Sequence, residues 1–347
     1  MRNPLAIAIL FILQFFCFSC TSTTELKSQH EVKDWEIIPT PVTASLRGLS
    51  PLTDKIVWAS GTGGTWLRTL DGGKSWDHGI IDGQDSLDFR DIEGMDALTA
   101  IAISAGQPAV IYKTVDGGKT WDKKFQGPEK AFLDGLAFNG KKLYVVGDEV
   151  DGRWMILESR DFGETWKWLE TSPSAPEGAG SFAASGTSIV VDQNNIWFVA
   201  AGKNGKIYRS QDQGITWETY DIPAPKEEDS QGIFSLGQIT PALMVAVGGD
   251  YLSPKNPSKN AMISQDFGRT WQLAKNFAPS GYRSGVAYFQ KNHWLISVGP
   301  EGSDICISGG EQWEKFSEEG FHAVAVDKAK GSVWASGNKG KIGRLAF

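Results

Sequence analysis

The chain has 347 residues, 41% of them hydrophobic, with 40 glycines, 14 tryptophans and a formal charge of −7. This length supports a substantial core, and the acidic balance, with no basic run, argues against a nucleic-acid partner. Three cysteines, Cys17, Cys20 and Cys306, leave no disulfide pair once the first two are assigned to an amino-terminal leader.

In that leader Arg2 precedes an apolar run over 5–18, interrupted by Gln14, and Ser19-Cys20 opens a polar stretch. This is the shape of an export signal rather than of a membrane-crossing helix. Residues 1–20 resemble a bacterial lipoprotein signal, which implies that Cys20 becomes the lipidated first residue of the mature chain, although Cys17 stands where that motif has an aliphatic residue. Residues 21–33 lack apolar periodicity and read as a flexible tether. The expected location is the cell envelope, with the membrane reached through the lipidated N-terminus; simple secretion is the alternative.

Beyond the tether one pattern recurs, Ser/Thr-x-Asp-x-Gly-x-Ser/Thr-Trp. Five copies begin at Thr69, Thr114, Ser159, Ser210 and Ser264 and end at Trp76, Trp121, Trp166, Trp217 and Trp271. A period of 45 to 54 residues carrying four strand-like runs indicates a β-propeller. A sixth, degenerate copy over 308–313 keeps Gly310 and Trp313 but lacks the Asp and the second hydroxyl residue. Each copy reads as a tight turn between the third and fourth strands of a blade, with the Asp accepting backbone hydrogen bonds and the Gly supplying a left-handed backbone. A calcium loop needs several closely spaced oxygen ligands, and each turn offers one carboxylate, so no metal is expected. There is no Gly-x-Gly-x-x-Gly loop and no Cys-x-x-Cys pair, so no cofactor is expected either.

The strands follow in order. The first unit is read as 46–49, 56–60, 65–69 and 75–80, the second as 89–95, 98–104, 109–114 and 120–125, and the third as 132–138, 142–146, 154–159 and 165–169. The fourth is read as 181–184, 196–200, 206–210 and 216–220, the fifth as 233–239, 243–247, 261–264 and 270–273, and the sixth as 282–289, 294–298, 304–307 and 313–316. Cys306 sits in the last of these units between Ile305 and Ile307, as a buried thiol rather than a nucleophile. Three strands remain, 321–326, 332–336 and 341–345, and the missing fourth has a donor at 34–39, where Trp35-Glu36 matches the fourth-strand starts Trp217-Glu218 and Trp313-Glu314. The reading is an all-β, seven-bladed propeller over 34–347, closed by an N-terminal strand that removes the exposed sheet edges.

This topology puts the long loops 170–180, 221–232 and 248–260 on the face opposite the repeated turns. Stacking the innermost strands brings Arg47, Arg90, Arg283 and His322 to equivalent positions at the channel mouth, with Asp91 and Asp134 beside them and Asp250, Tyr251 and Asp304 from nearby loops and strands. Three arginines can clamp a carboxylate, sulfate or phosphate, or be neutralised by the neighbouring aspartates.

The octads, above all Leu70-Asp71-Gly72-Gly73-Lys74-Ser75-Trp76 and Val115-Asp116-Gly117-Gly118-Lys119-Thr120-Trp121, resemble the Asp-box (BNR-like) repeats of sialidase-like propellers. Together with Gly-Thr-Gly-Gly-Thr-Trp-Leu-Arg-Thr over 61–69, they are similar to the photosystem II stability/assembly factor family and its non-photosynthetic bacterial relatives. That resemblance implies a non-enzymatic scaffold binding a protein, peptide or acidic glycan at the mouth, through Arg47, Arg90 and Arg283. The competing resemblance, to a sialidase-like hydrolase or a polysaccharide lyase, implies the same arginines as a triad, Tyr251 or Tyr282 with Glu177 as a nucleophilic pair, Asp91 or Asp134 as acid/base, and His322 nearby. Against it, the first-arginine motif Arg-Ile-Pro is replaced by Arg47-Gly48-Leu49.

Overall fold

The structure is a computed structural model that describes residues 32–347 except 276. The signal, Cys20 and the tether as far as Glu31 lie outside the described residues. Within them the chain forms seven four-stranded antiparallel sheets. Their innermost strands are Leu46–Pro51, Asp91–Gly94, Leu133–Asn139, Ile189–Asp192, Gln231–Gln238, Gly285–Phe289 and Ala323–Val326. Each touches the next, and the last returns to the first, so the sheets close a ring.

Closure follows the expectation from the two chain ends. The seventh sheet runs Ala323–Val326, Val333–Ser336, Ile342–Leu345 and then Trp35–Ile38, with Trp35 opposite Leu345 and Ile38 opposite Ile342. Lys33 N–H donates to Ala346 O and Ala346 N–H to Asp34 O, extending the ladder.

Strands two and three of a blade lie between neighbouring sheets, which is why runs such as Ala100–Ile103 and Val110–Thr114 are buried throughout. The core is correspondingly divided by blade junction. Ile101, Ile111, Leu133, Met155 and Leu157 fill the space between blades two and three, for example, and Trp35, Ile296, Phe321 and Val333 that between six and seven. The tryptophan opening each fourth strand packs towards the preceding blade: Trp166 joins the first of these clusters, Trp271 and Trp313 theirs, and Trp35 the last.

The repeated turns are nearly superimposable in their hydrogen bonding. In the first, Thr69 Oγ1 donates to Asp71 Oδ1 and accepts from Gly73 N–H, while Asp71 accepts from both the N–H and the hydroxyl of Ser75, at 2.6–2.9 Å. The same four bonds recur around Asp116, Asp161, Asp212 and Asp266. Each carboxylate is thus spent on its own turn. Gly73 stands at φ 86°, and a Cβ there would lie 2.6 Å from Ile38 Cγ2, so both conformation and space demand glycine.

The degenerate sixth turn starts two residues earlier than its surviving Ser suggests. Cys306 Sγ accepts from Gly310 N–H at 3.1 Å, taking the place of the first hydroxyl, and Ser308 Oγ accepts from Gln312 N–H at 2.9 Å, taking the place of the Asp. Cys306 is buried and free, and its work is to hold this turn.

Candidate binding site at the channel mouth

Blade four departs from the sequence expectation. Its innermost strand is Ile189–Asp192, not 181–184. Phe182 and Gly186 adopt left-handed backbones, at φ 69° and 78°, which interrupt a strand. The segment 181–188 instead crosses the ring. Ala184 O accepts from Arg47 Nη1 of blade one at 3.0 Å, and Ser185 Oγ donates to Ser284 O of blade six at 2.7 Å. Thr187 O accepts from Leu236 N–H of blade five at 2.9 Å, and the Gly186 backbone abuts the Asp91 carboxylate of blade two. Only small residues, Ala183, Ala184, Ser185 and Gly186, fit such a narrow passage. The channel is therefore plugged, and the site is a shallow mouth above the plug.

Several of the residues expected there are brought together, and others are not. Arg47 is half-buried, and its guanidinium is held below its usual range by burial and then by the positive charge of Arg90. Among the described residues no carboxylate lies within ion-pair distance of it. Arg90, 34% exposed at its side chain, pairs with Asp88 at 2.7 Å. His322 lies against the same pair: Nε2 is 3.2 Å from Ser45 Oγ and 2.9 Å from Asn338 Oδ1, and burial followed by the Arg47 charge pushes its pKa down to about 4, so it is neutral.

Arg283 is not part of an open triad. It is wholly buried in an ion pair with Asp304, and its remaining donors reach Tyr282 O and Ser280 Oγ. Asp91 is also buried, its two oxygens accepting the N–H groups of Ile92 and of Leu136 on the next blade; burial raises its pKa to about 8. Glu177 is exposed on its loop. Asp250 is engaged locally by Leu252 N–H and Gln231. Tyr251 closes an aromatic group, with ring centroids 5.4 Å from Phe182 and 6.5 Å from Tyr282, and Tyr282 is held protonated by burial.

Beside the mouth, between blades three and four, a cleft of about 260 Å³ is lined by Arg90, Phe132, Asp134, Asp148, Phe182 and Lys203 among others. Asp134 is buried, and desolvation together with the adjacent Asp148 carboxyl raises its pKa well above the carboxylate range. Asp148, Phe182 and the plug were missed in the sequence. The only signal was the density of small residues over 178–186, which marks a chain segment in tight surroundings.

Fold and site together define an Asp-box-type seven-bladed propeller with a basic, aromatic mouth. The chain closely resembles the YCF48 photosystem II assembly factors: residues 27–127 match the family described as photosynthesis system II assembly factor YCF48, and residues 154–298 match the sortilin, neurotensin receptor 3 family. A structure of YCF48 bound to D1 peptide superposes with a TM-score of 0.64 at 14% identity, over 91% of this chain and 97% of that one. YCF48 from Cyanidioschyzon merolae gives 0.63 at 14%, over 90% and 98%. A GH74 xyloglucanase from Xanthomonas campestris gives 0.60 at 12%, covering 88% of this chain but 52% of the enzyme. No curated protein matches the sequence.

Proposed function

We propose that this protein is a non-enzymatic, exported propeller, anchored through Cys20, that holds an acidic peptide segment of a partner protein at the channel mouth. The observation that carries the reading is Arg47: a half-buried guanidinium beside Arg90, bonded to one carbonyl and paired with no carboxylate among the described residues. Such a group bears a desolvation cost without its counter-charge, and an incoming carboxylate removes that imbalance. Arg90 supplies the second cation, and Tyr251 and Phe182 supply apolar surface for the adjoining residues. YCF48, a propeller of the same fold, has been solved bound to D1 peptide, which supports a peptide as the ligand.

The hydrolase reading lacks this support. Arg283 is closed by Asp304, Asp91 is consumed by backbone donors, and Glu177 is on an exposed loop, so the implied arginine triad is not assembled.

The test is binding of fluorescent acidic peptides with a free C-terminal carboxylate. Arg47→Gln with Arg90→Gln should weaken binding at least tenfold and leave the melting temperature within a few degrees of the parent. Arg283→Gln should instead destabilise by about 3 to 5 kcal/mol, because Asp304 is left buried without its partner. Unchanged peptide affinity in the double variant, or turnover of sialosides or acidic polysaccharides by the parent, refutes the proposal.

A further inference from the structure

The face opposite the mouth has a feature that peptide binding does not use. Every repeated turn presents one large apolar side chain to solvent: Leu70, Val115, Phe162, Ile215, Phe267 and Ile307, on blades one to six in succession, each between 40% and 68% exposed. They occupy three different positions of the octad, so the repeat pattern itself does not impose them. The turns share one face with the loops joining strands one and two. In successive blades Gly72, Gly117, Phe162, Gln213 and Phe267 donate their N–H groups to Lys55, Leu98, Lys141, Asn194 and Ala242. Leu98, on one of those loops, is exposed as well.

The chain also leaves the propeller on this face. In blades one to six the end of the third strand runs into the repeated turn. In blade seven that end is Leu345, and Lys33 donates to the following Ala346. Val32, where the described chain begins, is therefore level with the turns. Between Cys20 and Val32 lie 11 residues. The point from which a Cys20 anchor extends is thus on the turn face rather than at the mouth.

We propose that the repeated-turn face lies against a lipid surface, with the six apolar side chains entering the headgroup boundary and the channel mouth directed away from the membrane. The proposal rests on lipid anchoring at Cys20, and it adds the orientation. Lys74, Lys119 and Arg269 are exposed on three of the same turns, where their ammonium and guanidinium groups can reach anionic headgroups. The consequence for function is directional: a peptide partner is met on the side facing away from the bilayer.

The experiment uses the full chain, matured in cells and reconstituted into vesicles of phosphatidylcholine and phosphatidylglycerol containing nitroxide-headgroup lipid. Ile215→Cys and Leu252→Cys are labelled separately with an environment-sensitive dye; Cys306 is buried and does not compete. Ile215 is on blade four, across the ring from the tether on blade seven, so a tethered but undocked propeller would not bring it to the lipid. The expected result is flotation with the vesicles and quenching at Ile215→Cys at least threefold greater than at Leu252→Cys. Adding Leu70→Ser, Val115→Ser and Ile307→Ser should abolish that difference while flotation persists. Failure to float removes the anchoring premise and the docking with it. Flotation with equal quenching at the two positions, or shielding of Ile215→Cys by self-association without lipid, overturns the docking face alone.

Discussion

Replacing Trp35 by Ala tests whether the N-terminal strand closes the ring. Trp35 is 6% exposed, its ring lies 5.0 Å from Phe321 and 6.0 Å from Phe316, and Nε1 donates to Ser303 Oγ at 2.9 Å. Truncating a buried tryptophan costs about 3 to 5 kcal/mol, and the hydrogen bond adds about 1 kcal/mol. Ser303 still donates to Glu319 O, so no further donor is stranded. The expected loss of about 4 to 6 kcal/mol is a large share of the roughly 5 to 15 kcal/mol that holds a folded domain together. Ile37, on the same strand but 45% exposed, is the control, and Ile37→Ser should stay within about 0.5 kcal/mol of the parent. The assay is urea unfolding at constant pH followed by far-ultraviolet circular dichroism. A Trp35→Ala loss below about 1 kcal/mol would refute the argument, because it would mean that the ring is closed without this strand.

Two further outcomes concern the turns. Asp71, Asp116 and Asp161 are held at about 2, chiefly by the hydroxyl and N–H donors of Ser75, Thr120 and Thr165. Their folded pKa lies below the unfolded value of about 3.9. The stability they contribute is therefore complete above that value and is lost as pH falls through about 2. Melting temperature measured from pH 5 to 2 should fall steeply, and Asp71→Asn should flatten part of that fall. In the sixth turn, Cys306→Ser should be tolerated, because a hydroxyl takes up the same Gly310 N–H as in the other five. Cys306→Val should cost about 1 to 3 kcal/mol by stranding that donor. A Val variant as stable as the Ser variant would show that the sulfur does not hold the turn.

The ring was legible because its determinants are local and repeated. A hydroxyl, an Asp, a Gly and a Trp at fixed spacing specify a turn by hydrogen bonds spanning four residues, and five copies reveal the period. Trp35 could be matched to a strand more than 300 residues away because it carries the same opening residue as the other fourth strands. Even the sixth turn was recognisable, although its register was not, since a thiol standing in for a hydroxyl leaves no trace in the pattern.

The mouth was decided differently. Arginines 47, 90 and 283 look alike in the aligned inner strands, yet one is sealed against Asp304, one pairs with Asp88 and one is left with a carbonyl. Asp304 reaches Arg283 from the third strand of the same blade and Asp88 stands two residues before Arg90, whereas Arg47 meets only the carbonyl of the crossing segment, so equivalent positions in the aligned strands do not fix the partner. The segment 181–188 shows the same limit: its sequence permits a strand, and what draws it across the channel is the set of partners waiting on four other blades. The sequence alone determined the blades, their number and the strand that joins the two ends, because backbone hydrogen bonding and burial act over short, repeated stretches. Only the tertiary structure decided which charges remain unpaired and whether the channel is open, because both are set by groups that folding brings together from distant parts of the chain.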